Sequence, residues 1–279
     1  MSLFSGAGGL DLGMKQAGFH IRLCVDNDPV CCQTLRQNNL SSRVWQADLS
    51  ALRGQDIRAL AELSPSDPID LLFGGSPCQS FSFAGKRKGF DDERGQLLLH
   101  FFQLVQELQP KSFLLENVKG LLFALRNEPD ITSYFSRFAP SYRVHAALLN
   151  VADYGVPQKR ERVFVVGIHQ TVSRRYQFPA PTHQREGKGG KRKWVSVQEA
   201  FSLVPIHQHH FIPYRPSQAR WMKQIPKGGG NWRDLYVFGE DVVKQAMGKA
   251  FFFDGRTNGL LETDSSGSTR PHVVDVSFA

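Results

Sequence analysis

Only four cysteines, Cys24, Cys31, Cys32 and Cys78, occur among the 279 residues, and no two of them form a Cys-x-x-Cys pair. Structural zinc sites need paired ligands at short spacing, so no metal centre is expected. A disulfide frame is not expected either, because thiols in a reducing compartment stay free. No apolar run reaches the roughly 20 residues of a membrane span. The opening MSLFSGAGG has neither the basic nor the apolar segment of a secretory signal, which makes a cytoplasmic location the expectation. No glycine loop is followed by a Walker lysine, and no Gly-x-Gly-x-x-Gly is present. Nucleoside-triphosphate and nicotinamide chemistry therefore stand back. Acidic side chains are in deficit, 26 against 34 Lys and Arg, for a formal charge of +8. That excess suits an acidic partner, of which nucleic acid is the commonest, although a solvated basic surface would carry the same charge.

The rest of the composition is ordinary for a globular chain of one large domain, or one domain with a smaller appendage. Short apolar runs alternate with amphipathic stretches through the first half. Strands are expected at Ser2–Phe4, Ile21–Asp26, before Asp48, Asp70–Gly75, Lys111–Val118 and Arg162–His169. Helices are expected over Leu10–Ala17, from Pro29, and over Leu97–Leu108. Alternating strands and helices imply an α/β doubly wound domain with a mostly parallel sheet. Ligands of such sheets bind beyond the carboxyl ends of the strands. After about residue 170 strand signals fade. A Gly/Lys/Arg-rich loop, Thr182–Trp194, opens a basic segment dotted with aromatics, so a domain boundary is expected near residue 175.

Several short stretches can carry chemistry. FSGAGGLDLG places Gly6, Gly8, Gly9 and Gly13 in a strand-to-helix turn, where a ligand can approach the backbone closely. Asp26 ends the next strand, where ribose hydroxyls can be bound, and Asp48 ends a third, placed to accept from an adenine amino group. Together these suggest an adenosine-type cofactor. In GGSPCQSFS the lone thiol of Cys78 follows Pro77, which fixes a backbone torsion beside it. The next segment carries Lys86, Arg87, Lys88 and Arg94. Cations around a thiol stabilise the thiolate and make it a better nucleophile. A small buried hydrophobe is the alternative reading of a single cysteine. In LLENVKGL, Glu116 and Asn117 end another strand, where a carboxyl between apolar strand and loop can be kept protonated and donate to a base; a helix-capping or salt-bridged glutamate is the alternative reading. In QKRER, Gln158, Arg160 and Arg162 share one face if the chain there is extended, and two arginines can grip a phosphate or a base carbonyl.

Taken in order, FSGAGG, Asp26, Asp48, GGSPCQSFS, RGQL, ENV and QKRER resemble the cytosine-C5 DNA methyltransferases of bacterial restriction-modification systems, continuously over about residues 2 to 170. The resemblance implies a Rossmann-like methyltransferase domain over residues 1–175 that uses S-adenosyl-L-methionine. It also implies a smaller, incomplete target-recognition region over 176–279 that reads duplex DNA. By the same resemblance Cys78 attacks C6 of an extruded cytosine, Glu116 bonds the N3 edge, Arg162 touches O2 and Arg160 helps hold the site. Phe4, Gly6, Gly8, Gly9, Asp26, Asp48, Leu49, Pro77 and Leu97 would line the cofactor pocket, and Gln79, Ser82, Lys86, Arg94 and Asn117 would meet DNA. Asp26 stands where the family more usually has glutamate, a departure expected to weaken ribose binding modestly. An RNA methyltransferase and a DNA-binding remnant without activity are the other readings.

The likeness stops near the end. From about residue 254 the tail is atypical, and the Gly-Asn-x-Val-Pro-like block with which relatives complete the cofactor pocket does not follow. Codons permitted for Asn258 through Thr263, read one nucleotide out of phase, can spell Thr-Gly-Phe-Trp-Arg-Arg. A frameshifted tail is therefore expected. The rival expectation is a split enzyme whose missing block lies on a second polypeptide.

Overall fold

The computed structural model describes the chain except for residues 39–42, 78–92, 126, 127, 129, 204–213, 227–231, 240, 244–260, 264–268 and 272–279. The described residues fall into two compact units, one within 1–82, 87–149 and 162–178, the other within 150–161 and 179–279.

The first unit is built on a seven-stranded sheet. Its strands are β1 (Ser2–Leu3), β2 (Cys24–Asp26), β3 (Val44–Gln46), β4 (Leu71–Gly75), β5 (Ser112–Val118), β6 (Tyr142–Asn150) and β7 (Glu161–His169), in the order β3-β2-β1-β4-β5-β7-β6. β1 pairs in parallel with both β2 and β4, so the strand order reverses between β1 and β4. That reversal is the crevice position of a doubly wound sheet. β5 continues the parallel run beside β4, and β7 joins it antiparallel. The antiparallel direction has a consequence for the site. It brings the start of β7 to the carboxyl ends of the parallel strands, with Arg162 opposite Val118.

Local sequence accounts for the connecting helices. Helix α1 (Gly9–Gln16) begins after Gly8, whose φ of 89° suits a residue without a Cβ. Helix α2 (Pro29–Gln37) has Pro29 in its first turn and an Asp28 cap that accepts from the N–H groups of Val30 and Cys31. Helix α3 (Gly54–Leu60) follows, and α4 (Glu93–Leu108) starts a turn before the expected Leu97. On α4, Leu98, Phe101, Phe102, Val105 and Leu108 recur at helical spacing and are buried against the sheet. Phe102 stacks on Phe135 at 5.3 Å between centroids and meets Phe113 edge-on at 5.6 Å. Short helices α5 (Gly120–Ala124) and α6 (Ile131–Ser136) lead into β6. The expected strand at Ile21–Asp26 is regular only from Cys24, and β6, for which no strand was expected, is nine residues long.

The second unit has less regular structure. Two-residue strands β8 (His183–Gln184) and β9 (Arg192–Lys193) pair in parallel. Helix α7 (Val197–Ser202) carries a reciprocal Ser196/Glu199 cap. Helix α8 (Pro216–Met222) and a 3-10 turn over Trp232–Phe238 surround a small apolar cluster at Leu235 and Val243. Strands β10 (Leu261–Thr263) and β11 (Thr269–Pro271) form an antiparallel pair. Among the described residues no helix is long and apolar enough to cross a membrane.

Candidate active site

The glycine turn after β1 is tied to the next strand by a carboxylate. Asp26 accepts from the N–H of Gly6 through Oδ2 (2.7 Å) and from the N–H of Asp28 through Oδ1 (2.9 Å). Gly6 has φ 54°, and Phe4 before it is held at φ 52°. A bulky side chain rarely adopts that region, and such strain gathers at functional sites. A Cβ placed on Gly6 or Gly9 would meet nothing within 4 Å, so the backbone of the turn borders open space. A Cβ on Gly74 would lie 2.1 Å from the carbonyl oxygen of Leu3, which makes glycine obligatory where β4 runs beside β1.

Asp26 is half-buried, and two of its lone-pair positions are occupied by backbone donors. A carboxylate offers about four such positions, so room for a hydroxyl remains. Asp48 is exposed and caps the following 3-10 turn by accepting from Ser50 N–H at 2.9 Å. That bond, then a side-chain bond to Ser50, holds its carboxyl below the ordinary Asp value. Leu49 departs from expectation. Its side chain is 3% exposed and packed in the main core, so little of it is free to face a ligand. Leu97 is half-buried on the second turn of α4.

Glu116 sits beside Gly75 in the parallel β4–β5 register. Of the readings the sequence left open, the ion-paired carboxylate is the one found. Arg162 Nε donates to its Oε1 at 3.0 Å, and both side chains are about three-quarters or more covered, 26% and 19% exposed. A Cβ on Gly75 would stand 3.0 Å from the other oxygen, Oε2, so glycine there leaves the carboxylate its space.

Asn117 also departs from expectation. It is 1% exposed, its Nδ2 donates to Ser76 Oγ at 3.0 Å, and its Oδ1 accepts from Val118 N–H at 2.8 Å. With its amide spent in the interior it has no face for DNA. Its structural effect is to anchor Ser76, and therefore the half-buried Pro77, to the end of β5.

Gln158 and Arg160 are corrected in a third way. The strand begins at Glu161, and Gln158 N–H donates to Val156 O at 2.8 Å in a turn, so the shared strand face reaches only Arg162. Both residues are exposed, and Asn150 Oδ1 accepts from Arg160 N–H at 3.2 Å. Cys78, Gln79, Ser82 and Lys86 lie outside the described residues, as does the side chain of Arg94. Among the other cysteines, burial pushes the thiols of Cys31 and Cys32 up, with the Asp26 charge adding to it. Raised thiols are poor nucleophiles.

Sequence reasoning missed Ser76 and the Glu116–Arg162 pair. The small residue between Gly75 and Pro77 was a signal for the first. The second depends on strand register between residues 46 positions apart in the chain.

A family model described as C-5 cytosine-specific DNA methylase matches residues 1–254. Type II methyltransferase M.AquIA of Picosynechococcus is 42% identical over 221 residues, covering 74% of this chain and 88% of that protein. Type II methyltransferase M.NgoFVII of Neisseria gonorrhoeae is 34% identical, covering 84% of this chain and 61% of its own length. M.FnuDI of Fusobacterium nucleatum is 40% identical over 67% of this chain and 52% of its own. The chain thus spans only about half to three-fifths of the latter two. Among solved structures, a prophage-encoded E. coli chain given as a DNA modification methyltransferase superposes with a TM-score of 0.56 and 32% identity, over 74% of this chain and 54% of that one. A Dnmt2 of Spodoptera frugiperda shares the fold at a TM-score of 0.56 and 20% identity, over 81% of this chain and 65% of that one.

Proposed function

The chain belongs to the C-5 cytosine-specific DNA methylase family, and on that premise we propose that it methylates C5 of cytosine in duplex DNA through a covalent Cys78 adduct, as the modification arm of a restriction-modification system. The observation that carries the reading is convergence. The glycine turn after β1, Asp26 at the end of β2, Asp48 after β3, Ser76-Pro77 after β4 and Glu116-Asn117 on β5 all lie at the carboxyl ends of parallel strands. The antiparallel β7 adds Arg162 to the same edge. Cys78 follows Pro77 directly in the chain.

The residues fit an adenosine-type methyl donor. An open glycine turn leaves backbone accessible at Gly6 and Gly9, and the carboxylates of Asp26 and Asp48 stand where a nucleoside's hydroxyls and amino group need acceptors. S-adenosyl-L-methionine, when bound, supplies an electrophilic methyl group. Phe4, Gly6, Gly8, Gly9, Asp26, Asp48, Pro77 and Leu97 are the residues proposed to hold it.

The target base is out of reach inside a duplex, so it must be extruded. Cytosine C5 is also a poor nucleophile until C6 is attacked. The Cys78 thiolate forms the S–C6 bond, and the displaced pair passes into the ring and makes C5 nucleophilic. Glu116 at the N3 edge favours protonation there and takes up part of the developing charge. Arg162, fixed by its bond to Glu116, meets the O2 carbonyl, and Arg160 helps to hold the site. Once C5 carries the methyl group, loss of the C5 proton restores the C5–C6 double bond and expels the thiolate. Residues 1–175 form the catalytic domain in this reading, and residues 176–279 belong to target recognition.

The test is transfer of labelled methyl groups to unmethylated duplex DNA by the wild-type chain and by Cys78→Ser. Wild type should label cytosine C5 and the variant should fall to background. Equal transfer by both would remove the covalent step, and transfer to tRNA in place of duplex DNA would move the substrate to RNA.

A further inference from the structure

The Gly/Lys/Arg-rich loop singled out in the sequence plays no part in the chemistry above, yet it folds into a defined pocket. A cavity of about 510 Å³ in the second unit is lined by Lys159, Arg185, Glu186, Lys193, Trp194 and Ser196. We propose that this pocket, between the 150–161 segment and the β8–β9 loop, is a phosphodiester-binding clamp for the duplex DNA substrate. The inference rests on the DNA reading above and adds to it a place of contact.

Charge is the first argument. Three cations face the cavity, and the two polar groups that could answer them are already committed. Glu186 pairs with Lys188 at 2.5 Å. Ser196 Oγ donates to Glu199 Oε2 at 2.8 Å and accepts from Glu199 N–H at 3.2 Å. Glu199 feels the field of Lys193, and Asp153 bonds Trp194, so two further carboxylates stand near the cavity. With Lys188 counted beside Glu186 the cations still exceed the carboxylates, four to three, and an anion can neutralise that excess.

Shape is the second. The indole of Trp194 is locked by its Nε1 donating to Asp153 Oδ1 at 2.9 Å, and Lys159 Nζ stands 5.7 Å from the ring centroid. A fixed aromatic wall beside cations suits a sugar-phosphate unit, with the deoxyribose against the ring and the phosphate against the ammonium and guanidinium groups.

Preorganisation is the third. Gly187, Gly189 and Gly190 take φ of 66°, 62° and 76°. A Cβ on Gly187 would crowd Lys193 N at 3.1 Å. Gln184 closes the loop by donating from its amide to Lys188 O, and its own carbonyl accepts from Gly187 N–H at 3.2 Å and Trp194 N–H at 3.0 Å. Arg185 and Lys193 are exposed on this folded loop, so less conformational freedom is lost on binding than from a slack basic tail.

Counterion release provides the test. Affinity for a duplex oligonucleotide is measured by fluorescence anisotropy across a series of salt concentrations, for wild type and for the triple variant Lys159→Gln, Arg185→Gln, Lys193→Gln. All three side chains are exposed, and circular dichroism checks that the fold is kept. The variant should bind more weakly, with its log–log salt slope shallower by about 0.9 for the one phosphate the clamp neutralises. Arg185→Gln alone should weaken binding in the same direction and by less. Bisulfite mapping should show the same cytosines modified by wild type and variant, because phosphate contacts position without reading sequence. An unchanged slope in a wild-type/variant pair that still methylates DNA would overturn the clamp and leave the methyltransferase reading intact. A wild type that neither methylates nor binds duplex DNA would overturn both. A loss confined to RNA binding would overturn the clamp as a DNA contact.

Discussion

The two units use the same residue types in opposite ways. In the first, glycine, asparagine and tyrosine serve close packing. Gly74 lets β4 lie against the carbonyl of Leu3, Asn117 is interred beneath Ser76, and Tyr142 is buried to 5% exposure. In the second, glycines 187, 189 and 190 shape an exposed loop, Asn150 caps a 3-10 turn, and Tyr154 bonds from a partly exposed position. A sheet buried on both faces holds side chains to fixed positions at its strand ends, which the covalent chemistry proposed above demands. Loops held by turns and caps can present charge to a polymer whose backbone is everywhere alike. The difference predicts that matched substitutions in the two units will have unequal effects.

The largest contrast is between two glycines. Gly74→Ala puts a Cβ 2.1 Å from a backbone oxygen that cannot move without breaking the β1–β4 pairing. It should cost more than about 4 kcal/mol, enough to prevent folding of a marginal domain. Gly190→Ala meets nothing within 4 Å, and its strain comes only from a φ of 76°. It should cost about 1 kcal/mol. Urea titration of the two variants makes the comparison, and similar midpoints would break it.

Asparagine gives the next contrast. Asn117→Ala leaves Ser76 without its buried partner, which should cost about 1–3 kcal/mol, and it frees the segment that leads to Cys78. Methyl transfer should fall further than stability does, as a lower kcat at unchanged DNA affinity. Asn150→Ala loses a cap and a solvent-exposed bond from the Arg160 N–H, together about 1 kcal/mol. A fall in DNA affinity for Asn117→Ala, at unchanged kcat, would restore the direct DNA contact that its burial argues against.

How far the sequence could be read follows the same division. Short apolar runs set off by polar stretches were enough for β4, β5 and β7. The direction of β7 was not legible, since alternation has no polarity, and with it went the Glu116–Arg162 pair. Burial departs from two readings. Leu49, on the 3-10 turn after Asp48, and Asn117, on β5, stand in motif positions that suggest contact with ligands, but both side chains turn inward, and spacing alone does not say which way a side chain faces. β6 could have been found, because Tyr142 and Val144 are buried with the more exposed Arg143 between them, the pattern of a half-buried strand. In the second unit glycine and lysine marked a loop correctly, yet the pocket arises from Trp194 meeting Asp153, residues 41 apart in sequence.

The finest contrast lies between two tyrosines that make the same bond. Tyr142 donates to the carbonyl of Pro110 at 2.8 Å in the core, and Tyr154 donates to the carbonyl of Pro179 at 3.0 Å near the surface. Burial alone raises the Tyr142 phenol far above its ordinary value of 10.0. Tyr154 is raised by burial first and by the Asp153 charge second. A phenol whose folded value exceeds its unfolded one contributes stability that is whole below the unfolded value and is lost as pH rises above it. Wild type should therefore lose stability from about pH 10 upward, and Tyr142→Phe should lose less over that interval. At neutral pH the same variant should be less stable by about 1–2 kcal/mol, since a buried carbonyl is left unpaired, whereas Tyr154→Phe should change stability by about 0.5 kcal/mol because water replaces its bond. Urea midpoints at neutral pH and at pH values above 10 supply all of these differences. If the Tyr142→Phe curve ran parallel to wild type through the alkaline range, the buried phenol would not be the group that titrates, and the contrast between core and surface tyrosines would collapse.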